Sequence, residues 1–350
     1  MTTEGRAYES PLQTQPRSSS PRAAIHEMVN AVHLARAVFV VAELGIADLL
    51  RDGARTVDEL AELSRCHADS LRRVLRLLAS CGVFAENEQG CFDLTALANI
   101  LRSDVPDSLL ATVRMWDEPR WRAWGDLLHS VRTGEPAFDH VHGMGIFEYR
   151  GKHPESQARF DAAMANISEA ENVAIARDYD FGRFKQVIDV GGGRGGLIAE
   201  ILKVHTSAQG MLFDQPQVVE DPAYLVSAGV RDRCQTASGD MFASVPKGGD
   251  AYVIKRVLHD WDDARCVALL RNCRNAMAAG GHVLTIDTIV PSGNDPHPSK
   301  TMDIAMMLIG GRERTEEEFR RLYGDAGLNL TRIVPTMTRT AMAIIDGTRV

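Results

Sequence analysis

The sequence predicts an α/β protein. A parallel sheet, covered by helices on both faces and closed by an antiparallel C-terminal hairpin, follows a mainly α N-terminal domain. Three observations predict it. From residue 181 onward, short apolar runs alternate with helical stretches. A glycine-rich run, Gly191-Gly192-Gly193-Arg194-Gly195-Gly196, stands where the first apolar run ends and a helix begins. Before residue 181 the apolar residues recur at helical spacing, interrupted by one hairpin signal. The expected organisation is a polar tail over 1–22, a winged-helix domain over 23–100, a helical segment over 101–180 and the α/β domain over 181–350.

The elements follow in order. Residues 1–22 are rich in Ser, Pro, Gln and Arg, a composition unable to bury a core. Helical spacing starts with Ile25, Met28, Val32, Ala35 and Phe39 and stops at Gly45. Thr56-Val57-Asp58-Glu59 fits a capping box at the start of the next helix. Leu71, Val74, Leu75 and Leu78 form the apolar stripe of a helix over 68–80. Residues 82–84 and 91–94 then read as two strands joined by Asn87-Glu88-Gln89-Gly90. Helices followed by a hairpin suggest a winged helix. In the last domain, strands are expected over 186–190, 209–213, 234–237, 251–255 and 283–286, with helices over 197–204 and 263–278. A helix over 315–326 and strands over 328–334 and 341–346 complete the chain.

Composition narrows the function. The 350 residues are 45% hydrophobic and 25% charged, as in an ordinary folded protein, and the net charge of −8 argues against a grip on phosphate backbone. The six cysteines form no C-x-x-C pair and no zinc spacing, which points to free thiols and a reducing cytoplasm. No signal-peptide pattern opens the chain, and no stretch holds the ~18 consecutive apolar residues of a membrane span.

The glycine run satisfies both G-x-G-x-G and G-x-G-x-x-G, so by itself it fits several nucleotide cofactors. Asp214, at the end of the second strand, is placed to accept from ribose hydroxyls. Gly239-Asp240-Met241-Phe242 ends the third, where an Asp beside Met and Phe suits an adenine ring; a plain turn with core residues is the other reading. Beyond the fourth strand comes Lys255-Arg256-Val257-Leu258-His259-Asp260-Trp261-Asp262-Asp263. It brings His259 to the same sheet edge, which marks it as a candidate base. Asp262 or Asp263 is expected to cap the helix that follows.

Taken in order, the 189–195 run, the 259–263 segment and Gly310-Gly311-Arg312-Glu313-Arg314-Thr315 resemble the plant caffeate-type O-methyltransferases and their bacterial natural-product relatives. The likeness spans nearly the whole chain. It implies a Rossmann-like domain that binds S-adenosylmethionine, S-adenosylhomocysteine as product, and a homodimer built on the winged-helix domain. Gly191, Gly193, Asp214, Asp240, Met241, Phe242 and Lys255 are then the cofactor residues. His259 is the general base, neutral when it acts, with Glu313 beside it. Asp287 falls where the family has a second glutamate, and it is one methylene shorter. Trp116, Phe160, Met164, Asp260, Met306 and Met307 would line an acceptor pocket. The implied reaction is methyl transfer to a hydroxyl of a phenolic, phenazine or polyketide-like aromatic, with no metal and no nucleic-acid or membrane partner.

Two other readings stand beside it. A winged helix carrying Arg72, Arg73 and Arg76 on one helix also suits a transcription regulator. A methyltransferase-fold hydroxylase or decarboxylase would bind S-adenosylmethionine without transferring its methyl group.

Overall fold

The computed structural model describes residues 20–106, 108–338 and 340–350. Most of the expected tail, up to residue 19, lies outside the described residues. The chain divides into two units: residues up to Trp121 with Phe147–Ile167, and Arg122–Ile146 with Ser168–Val350. The segment 101–180, expected as one piece, is thus shared between them.

In the first unit, helix α1 (Pro21–Glu43) starts within the stretch read as tail, because the Ser20 side chain accepts from Ala23 N–H at 3.2 Å and Pro21 suits the first turn. Next come α2 (Ile46–Leu49), β1 (Arg55–Thr56), α3 (Val57–Ser64) and α4 (Ala68–Ser80). The capping box at α3 forms as expected: Glu59 accepts from Thr56 N–H at 2.7 Å, and Thr56 from Glu59 N–H at 3.3 Å. Strands β2 (Phe84–Glu86) and β3 (Cys91–Leu94) pair antiparallel, and β1 adds to the other side of β3. Ile46, Leu50, Leu60, Leu75, Phe84 and Phe92 are fully enclosed among these elements. The arrangement is compatible with a winged helix. Short helices α5 (Ala96–Asn99), α6 (Leu110–Arg114), α7 (Glu118–Gly125), α8 (Leu127–Thr133), α9 (Ala137–His142) and α10 (Ile146–Lys152) precede the long α11 (Pro154–Asp178); of these, α8, α9 and the C-terminal part of α11 belong to the second unit.

The second unit holds a seven-stranded sheet. In chain order it contains β4 (Gln186–Val190), α12 (Gly196–Val204), β5 (Gln209–Asp214), α13 (Pro216–Val219), α14 (Ala223–Ser227), β6 (Cys234–Ser238), β7 (Ala251–Lys255), α15 (Asp263–Ala276), β8 (His282–Thr288), α16 (Pro298–Met307), α17 (Glu316–Asp325), β9 (Leu328–Pro335) and β10 (Met342–Arg349). The strand order is β6-β5-β4-β7-β8-β10-β9, with β4 to β8 parallel and β10 antiparallel to both β8 and β9. The expected closing hairpin is therefore present. Strands buried on both faces need apolar side chains on both, and β4 supplies them. Val187 joins Leu197, Ile201 and Leu202 on one side, and Ile188 joins Leu269, Leu270 and Phe319 on the other.

Candidate active site

The chain leaves β4 toward β5 on one side and returns to β7 on the other, so the loops at these carboxyl ends diverge and open a crevice. The glycine loop lies there. Gly191, Gly193 and Gly195 have φ of 71°, 59° and 86°, values that other residues rarely adopt. A side-chain carbon on Gly191 would come within 2.8 Å of Val257, and one on Gly192 within 2.5 Å of the Asp189 carboxyl. The loop stays bare for steric reasons.

Neighbouring loops are tied to it. Gly191 N–H donates to the Phe213 carbonyl at 2.8 Å, and Gly193 N–H to Asp214 Oδ2 at 2.9 Å. After β6, Asp240 accepts from Phe242 N–H at 2.9 Å, and Asn272 holds the carbonyls of Met241 and Phe242, both at 2.9 Å. The Phe242 ring meets Trp261 edge-on at 5.0 Å. The structure thus gathers Gly191, Gly193, Asp214, Asp240, Met241 and Phe242 at one sheet edge. Lys255 is different. Its ammonium donates to Asn172 at 2.7 Å and pairs with Glu171 at 3.2 Å, so its charge is already met by protein. Burial draws its pKa down, and Glu171 opposes that.

Glu171 on α11 also grips Arg256, through Oε1 at 2.5 Å and Oε2 at 3.2 Å, and accepts from Thr340 at 2.6 Å. Burial works against its charge, but Arg256 and Lys255 hold the carboxyl below its ordinary pKa. Arg256 stands in the left-handed region with φ 54°, strain of about 1–3 kcal/mol for a residue with a side chain. That turn carries the chain from β7 into Leu258–Asp260, a single 3₁₀ turn that presents His259.

His259 is only 8% exposed. Its Nδ1 lies 3.1 Å from Glu313 Oε1, a hydrogen bond, and 3.4 Å from Asp287 Oδ1. Asp287 thus contributes charge at a longer reach, as its shorter side chain requires. Nε2 is the other ring nitrogen, 3.8 Å from Asp260 Oδ1. Burial favours the neutral ring, yet Asp287 and Glu313 outweigh it and push the pKa up to about 9. Two buried carboxylates beside one nitrogen favour the protonated ring, so the base sheds this proton before it acts. Asp287 Oδ2 and Glu313 Oε2 are buried and partnerless among the described residues. Burial raises the pKa of Glu313, and His259 opposes that.

The frame around His259 was not foreseen from sequence. Arg314, 1% exposed, donates to the carbonyls of Leu258 and Trp261, both at 2.8 Å, and to Asp263 at 2.8 Å. It fixes the backbone on either side of the histidine. Arg312 N–H donates to the His259 carbonyl at 2.8 Å, and Asp303 on α16 accepts from Glu313 N–H at 2.9 Å. Asp262 caps α15 through Arg265 N–H at 2.8 Å, as expected. Asp189 opens the 189–195 run. It is fully buried, its Oδ2 has no partner among the described residues, and burial pushes its pKa up to about 7 against the pull of Lys255.

The expected acceptor residues fall in both units. Trp116, Phe160 and Met164 are half-buried in the first. Met306 and Met307 end α16 in the second, and Asp260 follows His259 there. Two clusters have metal-ligand chemistry among the described residues: His259 with Asp287 and Glu313, and Asp126 with His129 and His140. In the latter the two imidazoles stack nearly parallel at 3.8 Å, which keeps their nitrogens from converging on one ion. All six cysteines are free.

Comparison with known proteins gives consistent matches. A family model described as the O-methyltransferase domain matches residues 124–329, and one described as the O-methyltransferase dimerisation domain matches residues 26–104. The chain is 44% identical over 312 residues to the phenazine O-methyltransferase PhzM of Lysobacter antibioticus, covering 89% of this chain and 92% of that protein. It is 38% identical over 328 residues to the mitomycin biosynthesis 6-O-methyltransferase of Streptomyces lavendulae, covering 91% and 93%. Among solved structures, it superposes on NcsB1, an O-methyltransferase from neocarzinostatin biosynthesis in complex with S-adenosyl-L-homocysteine and 1,4-dihydroxy-2-naphthoic acid. That match has a TM-score of 0.78 and 34% identity over 91% of this chain and 96% of the other.

Proposed function

Because this chain belongs to the O-methyltransferase family and carries that family's dimerisation domain, we propose that it methylates a hydroxyl on a small fused or single-ring aromatic natural product, with His259 as general base and without a metal. The chain is an enzyme that uses S-adenosylmethionine. The finer reading is carried by one observation: a buried histidine whose Nδ1 faces two carboxylates, at the sheet edge that bears the glycine loop.

The residues present fit the cofactor. The glycines form a cradle that a Cβ would fill, and the partnerless oxygen of buried Asp189 is an acceptor awaiting a donor beneath it. Gly191, Gly193, Asp214, Asp240, Met241 and Phe242 would hold it, with Lys255 acting through Glu171 and Asn172. When bound, S-adenosylmethionine supplies a methyl carbon already activated by its sulfonium.

The chain's own task is proton removal and alignment. A free phenol has a pKa near ~10, so little phenolate exists at neutral pH. Glu313 engages Nδ1, which leaves Nε2 as the nitrogen to take the acceptor's proton. General-base help of this kind is worth roughly 10² to 10⁴ in rate. With a pKa of about 9, His259 is a stronger base than ordinary histidine, better matched to a phenol, once its own proton has left. Arg314 and Glu313 fix the ring's position, and the apolar strands behind it exclude water. The paired His259 and Glu313 favour transfer over binding of S-adenosylmethionine without transfer. The ligand in NcsB1, and relatives named for phenazine and mitomycin chemistry, support a flat hydroxylated acceptor.

We assign the working form to a homodimer. The dimerisation-domain match supports this, as do Ile25, Met28, Val29 and Val32, which stand exposed along α1. The deciding experiment for the base is His259→Gln. Calorimetry is expected to find S-adenosylmethionine bound within a few-fold of wild type, while methyl transfer falls at least ~100-fold. Near-normal turnover would remove His259 from the role.

A further inference from the structure

His259, Asp287 and Glu313 all belong to the second unit, and they are 8%, 1% and 3% exposed. The two carboxylates are short of donors. Nδ1 of the ring carries at most one hydrogen, and it faces Glu313 Oε1 at 3.1 Å and Asp287 Oδ1 at 3.4 Å. Thr288 N–H adds a bond to Asp287 Oδ1 at 3.1 Å. Among the described residues nothing donates to Asp287 Oδ2 or Glu313 Oε2, although both atoms are withdrawn from water. Buried polar atoms in folded proteins are nearly always satisfied, so two left over on neighbouring carboxylates need a cause. A proton on Nδ1 supplies one bond and one charge. The carboxylates present four oxygens and two charges.

The spacing matches a small divalent cation. Around a tetrahedral zinc ion with bonds of about 2.0 Å, neighbouring ligand atoms stand about 3.3 Å apart. The observed 3.1 and 3.4 Å bracket that separation, and one ligand atom from each of the three side chains lies within 4.8 Å of the other two. The donor set selects among metals. One imidazole with two carboxylates suits zinc, whereas magnesium and calcium take oxygen ligands. The ligands are also held from behind: Asp303 accepts from Glu313 N–H at 2.9 Å, and Thr288 fixes the Asp287 carboxyl. Three protein ligands leave a fourth position for water, as at zinc sites that are not purely structural.

We propose that His259, Asp287 and Glu313 take a zinc ion in place of the Nδ1 proton, and that zinc thereby switches methyl transfer off. The displaced proton passes to solvent, and nothing is oxidised or reduced. A neutral imidazole keeps one hydrogen, and with metal on Nδ1 that hydrogen sits on Nε2. Nε2 is then a donor, with no lone pair for the acceptor's proton. The inhibition rests on the reading of His259 as general base; the metal site does not.

Zinc chloride is titrated by calorimetry into the full chain carrying His129→Ala and His140→Ala, which removes the other cluster of metal-ligand chemistry. One equivalent is expected to bind, and cobalt(II) in its place should show the visible bands of a four-coordinate ion. Asp287→Asn and Glu313→Gln, each added to this parent and shown folded by its melting curve, should weaken zinc at least ~10-fold, the least that loss of a supporting contact costs a metal site. Saturating zinc should lower turnover of the parent at least ~100-fold, as loss of a general base does, and EDTA should restore it. Magnesium at the same concentration should leave turnover unchanged. Absence of stoichiometric zinc binding to the parent overturns the proposal whatever the variants do. Unchanged zinc affinity in both folded carboxylate variants overturns it too. If zinc binds, depends on both carboxylates and leaves turnover intact, the metal site stands, while the inhibition and the assignment of His259 as base fail together.

Discussion

Gly311 lies directly against the carbonyl oxygen of His259, in a space that a single side-chain carbon would fill, and the next residue, Arg312, donates its N–H to that same oxygen. The glycine is thus required by the histidine 52 residues before it rather than by a turn of its own. Through this contact the segment that delivers Glu313 is registered on the residue that Glu313 must orient.

Gly311→Ala should therefore move His259 and its carboxylate apart. We expect methyl transfer to fall at least tenfold while S-adenosylmethionine affinity changes by less than about threefold. Paired calorimetry and turnover measurements check it, and parallel losses in both would point to a general collapse of the loop.

The pH dependence follows from the two carboxylates on Nδ1. The folded pKa of about 9 lies above the ordinary 6.5, so His259 stabilises the fold fully below about pH 6.5, and that contribution is lost as pH rises through 9. Activity runs the opposite way, because only the deprotonated ring accepts a proton. With an acceptor whose own pKa exceeds about 10, kcat/KM should climb nearly tenfold per pH unit between 7 and 9. A flat profile over that window would show that His259 is already neutral at pH 7.

Replacing Asp287 by Asn removes charge without removing volume. The apparent pKa of the rising limb should drop toward that of an ordinary histidine, by at least one unit, with the maximal rate reduced less than in Glu313→Gln. Comparison of the two pH profiles separates a charge at 3.4 Å from a hydrogen bond at 3.1 Å.

Arg314→Met deletes four hydrogen bonds, two to the Asp263 carboxylate and one each to the Leu258 and Trp261 carbonyls. Breaking such a buried cluster typically costs about 3–5 kcal/mol, to be read from urea denaturation. Glu171→Gln should destabilise to a similar degree, since it leaves Lys255 and Arg256 without their shared counter-charge.

Metal independence has a simple check. Dialysis against EDTA should leave turnover unchanged within about twofold, since the methyl group needs no Lewis acid. A loss restored by one divalent cation would make His259, Asp287 and Glu313 ligands instead.

Much of this architecture was legible in the residues. The span 251–255 was read as a strand and forms β7, and the glycine run stood between β4 and α12 as its context demanded. The last strand was read too short because Gly347, Thr348 and Arg349 lack the apolar pattern; their pairing with β8 and β9 carries them. His259 and Glu313 were legible because a motif carries them. Arg314, Glu171 and Arg256 were not, since an arginine or glutamate in a string looks like solvated charge until tertiary contacts bury it. The raised pKa of His259 was not legible for the same reason: it depends on two carboxylates that arrive from β8 and from the segment after α16.

The glycine loop, the histidine and both of its acidic neighbours all come from the second unit, while Trp116 and Phe160 belong to the first. The groups proposed to activate the acceptor hydroxyl therefore fold as one body, so substitutions within the first unit leave the contacts of His259 with Asp287 and Glu313 in place.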